Sequence, residues 1–315
     1  EITLPTGKDN DGNQRTAVCC LSSLNLDTYD EWSEDPQFVE DVMRFLDNVM
    51  NDFIERAPDE FAHAKYSAMR ERSVGLGVMG LHSYFQKKNI PFGSVMSKVW
   101  NKKVFKNIQE KVDAASKSLA EERGACPDAE EYGMKERFSN KTAIAPTASI
   151  SIICGGSSPG IEPIAANSYT HKTLSGSFNV RNKYLKKILS KYKKDTDDVW
   201  SSITTNQGSV SHLDFLTAEE KDTFKTAFEI DQRWIVELGA DRTPHISQAQ
   251  SINIFIPADI HKKDLHNLHF QAWKKGLKSL YYCRSKSIQR AENVNKGTST
   301  DVTKNVYSQG QESNN

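Results

Sequence analysis

The sequence predicts an α/β protein with a parallel sheet, and three observations support this fold class. Amphipathic helical segments alternate with short apolar segments along most of the 315 residues. Several apolar segments lack a polar residue at every second position, which is typical of strands buried on both faces. Strands that are separated by helices pair in parallel through right-handed crossovers. A barrel, a half-barrel and an open doubly wound sheet all fit this pattern.

Four segments are predicted to be helices because their apolar residues recur at helical spacing. Asp35 followed by Pro36 indicates an N-cap and a first helical residue, and Thr217 with Glu220 has the sequence of a capping box. Glycines follow the second and fourth segments, as is common at helix ends. The predicted helices cover residues 35–56, 97–124, 217–239 and 261–275.

Five short apolar runs are predicted to be strands. Consecutive runs are separated by a predicted helix, as crossover connections between parallel strands require. The runs cover residues 16–21, 73–78, 142–145, 252–256 and 277–283.

Composition argues against several classes of protein. Lys plus Arg and Asp plus Glu both number 41, so the formal net charge is zero. A surface for nucleic-acid polymers or anionic membranes needs a positive surplus. No stretch approaches the ~20 apolar residues of a membrane span, and no signal-peptide pattern opens the sequence. Five scattered cysteines do not suit a disulfide framework, so we expect a cytoplasmic protein.

The organisation of the sequence indicates a piece of a larger protein. The sequence opens at Glu1 in what looks like the end of a strand, and an independent domain rarely begins within an element. Residues 296–315 are rich in Ser, Thr, Asn, Gln and Gly, a composition typical of flexible segments. We predict one α/β unit over residues 1–290 and a flexible tail over residues 291–315.

Gly75, Gly77 and Gly80 match the dinucleotide-binding fingerprint between a predicted strand and a helix. The fingerprint also requires an acidic residue about 20 positions later, and residues 95–103 contain none. Glycines that let a strand turn tightly into a helix are therefore the favoured interpretation.

Pro146, Thr147, Ala148, Ser149 and Ile150 follow the predicted strand at 142–145 and form a loop of mostly small side chains. If a helix follows, its free N–H groups and positive end form a site that a phosphate approaches closely. An ordinary helix cap is the alternative, and spacing alone does not choose between the two.

Other chemically capable residues have ordinary explanations at this stage. Cys19-Cys20 suits small apolar core positions, and adjacent cysteines do not easily pair with each other. His266 and His269 lie three apart on a predicted helix without Glu or Cys ligands at workable spacing, so no metal site is expected. Tyr281-Tyr282 ends the last predicted strand, where adjacent side chains point to opposite faces.

Six short motifs occur in a fixed order along the chain. They are Glu1-Ile-Thr-Leu-Pro-Thr6, Ala17-Val-Cys-Cys-Leu-Ser-Ser-Leu-Asn25, Gly124-Ala-Cys-Pro127, Ala145-Pro-Thr-Ala-Ser-Ile-Ser151, Gly160-Ile-Glu-Pro163 and Leu280-Tyr-Tyr282. Each motif alone is weak, but the set resembles the C-terminal half of the large (alpha) subunit of class I ribonucleotide reductase. The resemblance covers about residues 1–290.

This resemblance implies the second half of a ten-stranded α/β barrel with a finger loop in its centre. In that family the finger tip carries a radical cysteine in the pattern Asn-x-Cys-x-Glu, and Glu1 matches the glutamate. The asparagine, the radical cysteine, the first half-barrel and the regulatory region are then expected on a complementary N-terminal half.

The resemblance also implies roles for individual residues. Glu1 is the general base for the 3′-hydroxyl of the ribose, and Cys19 is one member of the dithiol that reduces the 2′ position. Cys20 is not expected to take part. The loop at 146–150 holds the substrate diphosphate through backbone N–H groups. Tyr281-Tyr282 matches a stacked pair that relays the radical from the small subunit.

The implied cofactors and partners lie outside this chain. No metal or cofactor is expected in it, because the radical metallocofactor resides in the small (beta) subunit, and thioredoxin or glutaredoxin is the reductant. The family's large subunits end in a tail with two redox cysteines, whereas this sequence has no cysteine after Cys283. Either the tail is truncated or another segment supplies those thiols. The expected partners are the complementary N-terminal half, the small subunit, a second large subunit and a ribonucleoside diphosphate.

Different functions remain open from the sequence. The first is the catalytic half of a ribonucleoside-diphosphate reductase, an enzyme only as part of an assembly. The second is a non-catalytic assembly module that binds the other half or the small subunit. An unrelated phosphate-binding barrel enzyme would need an acid–base pair that this chain does not reveal.

Overall fold

The computed structural model describes residues 1–173 and 176–285. Its strands are β1 (Gly7–Lys8), β2 (Gln14–Arg15), β3 (Leu21–Asn25), β4 (Gly75–Met79), β5 (Ser168–Thr173), β6 (Gly176–Arg181), β7 (Ile254–Ile256) and β8 (Cys283–Ser285). Its α-helices are α1 (Tyr29–Trp32), α2 (Phe38–Arg56), α3 (Ala62–Glu71), α4 (Leu81–Lys87), α5 (Val95–Arg123), α6 (Pro127–Glu131), α7 (Ile150–Ile153), α8 (Lys183–Lys191), α9 (Asp197–Thr205), α10 (Ala218–Thr223), α11 (Gln232–Arg242) and α12 (Lys262–Lys274). Short 3₁₀ helices cover Leu26–Thr28, Asp59–Phe61 and Thr243–His245.

Parallel strand segments form the centre of the described structure. β3 pairs with β4, and β4 is joined to the next segment by a bridge between Leu76 and Thr142. Ile144 then bridges to Gln250, and β7 pairs with β8. Every one of these pairings is parallel, and the segments lie side by side in chain order. This is the arrangement expected for half of a ten-stranded barrel.

Two glycines of β4 permit a close approach between neighbouring segments. A Cβ atom on Gly77 would lie 2.2 Å from the Ala143 carbonyl oxygen. A Cβ atom on Gly75 would lie 2.8 Å from the Ala143 Cβ and 2.3 Å from a methyl carbon of Leu21. Gly80 has a φ of 83° and precedes α4. The glycine motif thus serves strand packing and the turn into a helix, as favoured above.

Long helices cover the sheet. Ser94 is the N-cap of α5, and its hydroxyl accepts a hydrogen bond from the Ser97 N–H in a capping box. Gly124, with a φ of 86°, is the C-cap. α5 packs against α2 and α11. Each fully buried Leu or Phe on these faces contributes about 1.5–3 kcal/mol relative to exposure. Although α5 spans 29 residues, no helix in the described residues is long and apolar enough to cross a membrane.

The five predicted strands follow the order of the parallel segments, but their bounds differ, and β1, β2, β5 and β6 were not predicted. The run at 16–21 is wrong as a strand, because regular pairing starts at Leu21 and continues through two serines to Asn25. The run predicted at 277–283 likewise begins before the observed strand, since β8 starts at Cys283. Residues 142–145 make only isolated bridges. Backbone pairing with a neighbour, rather than apolar content, defines these strands.

The predicted helix at 217–239 is wrong as a single element. The capping box at Thr217 is confirmed, but α10 ends at Thr223 and α11 begins only after Asp231. The Ala227 N–H donates to the Ile164 carbonyl at 2.7 Å, so a distant segment interrupts the helical ladder. The buried apolar residues of the turn between the two helices recur at helical spacing, which is why one continuous helix was predicted.

The other helix predictions are correct to within a few residues. α2 starts at Phe38 rather than Pro36, because the Asp35 carboxylate accepts the Gln37 N–H at 2.8 Å in a turn before the helix. α12 starts after His261, whose side chain accepts the Lys263 N–H.

A smaller unit was not predicted from the sequence. β5 and β6 form an antiparallel hairpin, and α8 and α9 follow it. Leu185, Trp200 and Phe224 belong to a separate apolar cluster below this hairpin. The hairpin is rich in Ser, Thr and Asn and lacks an apolar run, which explains the omission. The predicted tail at 291–315 lies outside the described residues, and its boundary stays a prediction.

Candidate active site

Glu1 is attached to the edge of the segment at 249–251. Its carbonyl oxygen accepts the Ala249 N–H at 2.9 Å, and its carboxylate Oε2 accepts the Ser251 hydroxyl at 2.8 Å. The Ser251 N–H donates to the Ile144 carbonyl at 2.9 Å. Ser251 therefore connects the Glu1 carboxylate to the strand segment that leads into the loop at 146–150.

Cys19 and Cys20 occupy different environments. The Cys19 side chain is exposed, whereas Cys20 is buried and its thiol lies 3.9 Å from the Leu46 carbonyl of α2. Burial raises the pKa of Cys19, and the negative charge of Glu1 raises it further. Burial raises the pKa of Cys20 to about 11. Cys19 thus faces the surroundings of Glu1, while Cys20 packs into the core.

Tyr281 and Tyr282 are in direct contact. Their ring centroids are 4.1 Å apart with an interplanar angle of 47°, and the two hydroxyl oxygens are 3.4 Å apart. Both side chains are about half exposed. The expectation that they point to opposite faces is wrong, because regular strand pairing starts only at Cys283.

The electrostatics of the pair include Glu1. The hydrogen bond to Tyr282 raises the pKa of Tyr281, and the charge of Glu1 acts in the same direction. Glu1 therefore influences both Tyr281 and Cys19. Glu1 and Tyr281 also both hydrogen-bond to the segment at 249–252, so the two ends of the described chain meet at this segment.

The loop at 146–150 presents backbone amides. Thr147 has a φ of 52°, and its buried hydroxyl accepts the Gly160 N–H at 2.7 Å. Ala148, Ser149 and Ile150 are exposed, and their N–H groups donate to no acceptor among the residues that the structure describes. Free, outward-facing amides are what an oxyanion requires. Only the one-turn helix α7 follows, so the amides rather than a helix dipole would carry such a site.

A cleft of about 660 Å³ opens beside this loop. Ala148 and Ser151 line it on the loop side, and Glu162, Arg181 and Arg284 line it elsewhere. Within residues 1–173 and 176–285 there is no group of three or more His, Cys, Asp or Glu side chains that could hold a metal ion. His269 instead contacts the Leu265 carbonyl, and His266 stacks on Phe270.

Sequence reasoning missed several polar residues of this region. Ser251, Asn253, Glu162 and Arg284 lie around the Glu1 and tyrosine positions, and the sequence assigned a role to none of them, although Glu162 is part of a quoted motif. The available signal was the polar run Gln248-Ala-Gln-Ser-Ile-Asn253, which leads into an otherwise apolar strand. Buried polar residues that interrupt an apolar strand require partners, and those partners commonly lie at functional sites.

Comparisons with known proteins agree with this geometry. A model of the ribonucleotide reductase barrel domain matches residues 1–136 and 127–283. The ribonucleoside-diphosphate reductase large subunit of Invertebrate iridescent virus 6 is 49% identical over 298 residues, which are 93% of this chain and 30% of the viral protein. The putative large subunit of Frog virus 3 is 43% identical, over 90% of this chain and 49% of that protein.

A solved structure gives the same result. The class Id ribonucleotide reductase alpha subunit of Actinobacillus ureae matches with a TM-score of 0.81 and 41% identity. The match covers 87% of this chain and 50% of that subunit, so the chain spans half or less of the length of these relatives. The predicted fold class and the predicted resemblance are confirmed, and the chain belongs to the ribonucleotide reductase barrel-domain family.

Proposed function

We propose that this chain is the catalytic-half component of a class I ribonucleoside-diphosphate reductase. Together with a complementary N-terminal half, it would reduce ribonucleotides to 2′-deoxyribonucleotides by thiyl-radical chemistry. The observation that carries this proposal is that Glu1 and Tyr281, from opposite ends of the described chain, both hydrogen-bond to the segment at 249–252. The charge of Glu1 also raises the pKa of the Cys19 thiol. Family membership supports the reaction class, and these hydrogen bonds support the proposed position of the site.

Glu1 suits the role of general base. Ser251 donates to Oε2 and fixes the orientation of the carboxylate, which leaves Oε1 for a substrate hydroxyl. A base in this position accepts the 3′-hydroxyl proton of the ribose after the thiyl radical of the complementary half abstracts the 3′ hydrogen atom.

Cys19 suits the role of reductant. Two thiols together give two electrons and two protons. One proton leaves with the 2′-hydroxyl as water, the other proton and the two electrons form the new bond between the 2′ carbon and hydrogen, and a disulfide forms between the thiols. Cys19 is an exposed thiol whose pKa the Glu1 charge raises. The second thiol would belong to the complementary half. Thioredoxin or glutaredoxin would then restore the dithiol, through a cysteine pair that lies outside this sequence.

The remaining elements bind the substrate and receive the radical. The free amides of residues 148–150 would hold the diphosphate, since backbone N–H groups bind oxyanions without a side-chain charge. Tyr281 and Tyr282 would relay the radical from the metallocofactor of a small subunit. A second large subunit completes the proposed assembly, which acts in the cytoplasm.

The two adjacent cysteines provide a matched test of this proposal. In the complete assembly, Cys19→Ser should lower deoxynucleotide formation at least about 100-fold, equivalent to about 2.7 kcal/mol in the barrier. Cys20→Ser should keep most of the activity, because its thiol packs against α2. Single-turnover assays remove any dependence on the external reductant. Equal losses in the two variants, or an active Cys19→Ser variant, would contradict the assignment.

A further inference from the structure

A buried polar chain lies directly behind the tyrosine pair. The Tyr282 N–H donates to the Asn253 side-chain oxygen at 3.0 Å, and the Asn253 amide donates to the Glu162 carboxylate at 2.8 Å. Asn253 is 1% exposed and Glu162 is 8% exposed. The loop that carries Glu162 is thereby connected through one side chain to the backbone of Tyr282.

This contact replaces a regular strand hydrogen bond. With Ile254 opposite Cys283 and the Ile254 N–H bonded to the Tyr282 carbonyl, a regular parallel ladder would pair the Tyr282 N–H with the Ile252 carbonyl. In the structure the Tyr281 N–H takes the Ile252 carbonyl instead, at 2.8 Å. Asn253 accepts the Tyr282 N–H that this shift displaces.

The shifted backbone explains why the two rings meet. Neighbouring residues of a regular strand point to opposite faces, and their rings do not touch. Tyr281 and Tyr282 instead have hydroxyl oxygens 3.4 Å apart. The Tyr282 N–H is partly buried, and a polar group that loses its acceptor in such a place costs up to about 1–3 kcal/mol, so the Asn253 acceptor stabilises the shifted backbone.

Two opposite charges, those of Glu162 and Arg284, lie near Tyr282. The Arg284 guanidinium lies 5.7 Å from the Tyr282 ring centre. Burial raises the pKa of Glu162, while the Asn253 hydrogen bond and the charge of Arg284 oppose that rise. A buried carboxylate persists only with such partners. Glu162, Asn253 and Arg284 therefore form one cluster around Tyr282.

We propose that Asn253 and Glu162 are positioning residues for the tyrosine pair, which hold Tyr282 out of the regular ladder so that its hydroxyl stays next to that of Tyr281. This inference rests on the proposed role of the pair in radical transfer. In that step the O–H bond of Tyr281 breaks and the O–H bond of Tyr282 forms. One proton and one electron move together from Tyr281 to the oxidised Tyr282.

The first test compares two buried asparagines in the complete assembly of large and small subunits. Asn253→Ala should lower kcat about 10-fold or more and leave KM within about 3-fold, because a misplacement of about 1 Å can cost about 100-fold in rate. Asn101 is equally buried and bridges α5 to Leu238 and Arg242, away from the tyrosines. Asn101→Ala should lower thermal stability without lowering kcat.

The second test exchanges the hydrogen-bonding groups. Asn253→Asp alone places two carboxylates in contact and should lower kcat as much as Asn253→Ala. In the double variant Asn253→Asp with Glu162→Gln, the new amide at position 162 can donate to the new carboxylate at position 253. That carboxylate still accepts the Tyr282 N–H. The double variant should recover kcat to within about 3-fold of the unmodified enzyme, which a general loss of folding would not allow.

The outcomes separate this inference from the function on which it rests. If Tyr282→Phe is inactive but Asn253→Ala has normal kcat, the positioning role is wrong and the radical route stands. A double variant no better than Asn253→Asp, or a KM that rises in step with the fall in kcat, also overturns the positioning role. An active Tyr282→Phe enzyme overturns the radical route and the inference together.

Discussion

At the scale of single residues, Ser251 and Asn253 on one strand segment each hydrogen-bond to a residue of the proposed site. Ser251 orients the Glu1 carboxylate, and Asn253 accepts the Tyr282 N–H. They are two positions apart, and both are nearly inaccessible to solvent. Polar side chains in such places are fully hydrogen-bonded, and this makes them rigid supports for the groups they contact.

Glu71 is a buried acid outside the proposed site. It is 2% exposed, its Oε2 has no hydrogen-bond partner in the described residues, and burial raises its pKa to about 7. A carboxyl whose folded pKa lies above its unfolded value of 4.5 favours folding in its neutral form. Its contribution is therefore complete below about pH 4.5 and is lost as the pH rises towards 7.

This direction of the pH dependence gives a prediction for the Glu71→Gln variant. The variant removes the ionisation, so its stability relative to the unmodified chain should increase between pH 5 and pH 8, by about 2 kcal/mol. Chemical denaturation of both proteins at the two pH values measures the difference. A relative stability that is independent of pH, or that decreases towards pH 8, would show that Glu71 stays ionised in the fold.

The adjacent cysteines show how far the sequence could predict which residues belong to the site. The motif resemblance assigned Cys19 rather than Cys20, and the structure exposes the first and buries the second. Composition and spacing alone treated both as core residues. Cys20 is the residue whose thiol packs against the Leu46 carbonyl of α2, and that is a tertiary contact.

At the scale of elements, β4 shows which strand features are readable from sequence. It is apolar and buried throughout, and its prediction is correct to within two residues. β3 contains two serines and was displaced in the prediction, because the apolar residues just before it resemble a strand more closely. The helix predicted at 217–239 failed for a different reason, since a contact from the distant Ile164 interrupts it.

The two glycines of β4 give a prediction at this scale. Gly77→Ala places a methyl group against the backbone oxygen of Ala143, which cannot move without disrupting the sheet. We expect a loss of about 3 kcal/mol or more in the free energy of unfolding, at the upper end for overpacked sites. Gly75→Ala meets side chains, one of them the flexible end of Leu21, and should cost about 1–2 kcal/mol.

Denaturant titration of the two alanine variants in parallel measures this contrast. The double variant Gly75→Ala with Leu21→Ala should lose less free energy of unfolding than the sum of the two single losses. No side-chain truncation should reduce the loss in Gly77→Ala. If Gly77→Ala is the milder variant, the close approach between β4 and residue 143 does not exist in solution.

At the scale of the whole molecule, the parallel segments define a partial barrel. Among the described residues, β3 pairs only with β4, and β8 only with β7. Strands with one unpaired edge are templates for further pairing, and barrels remove such edges by closure. We expect the complementary half to pair with these edges, which would also bring its radical cysteine to Glu1. The alternation of strands and helices predicted a parallel sheet but left a barrel, a half-barrel and an open doubly wound sheet open, and only the motif resemblance implied half of a barrel.

The hairpin of β5 and β6 with α8 and α9 could not be predicted in the same way. Its strands are polar, and its apolar cluster is assembled from several short segments. The cleft beside the loop at 146–150 receives Arg181 from this unit. The part of the fold that sequence periodicity left out therefore contributes to the walls of the candidate site.

We expect a radical to reach the proposed site of Glu1 and Cys19 through the tyrosine pair. The most direct measurement is deoxynucleotide formation by the complete assembly carrying Tyr281→Phe, with substrate affinity measured on the same protein. Phenylalanine keeps the ring but has no O–H bond to oxidise, so turnover should fall at least about 100-fold, or about 2.7 kcal/mol. Substrate affinity should change only a few-fold, since one hydroxyl contributes about 1 kcal/mol. Turnover at the unmodified rate would contradict the account.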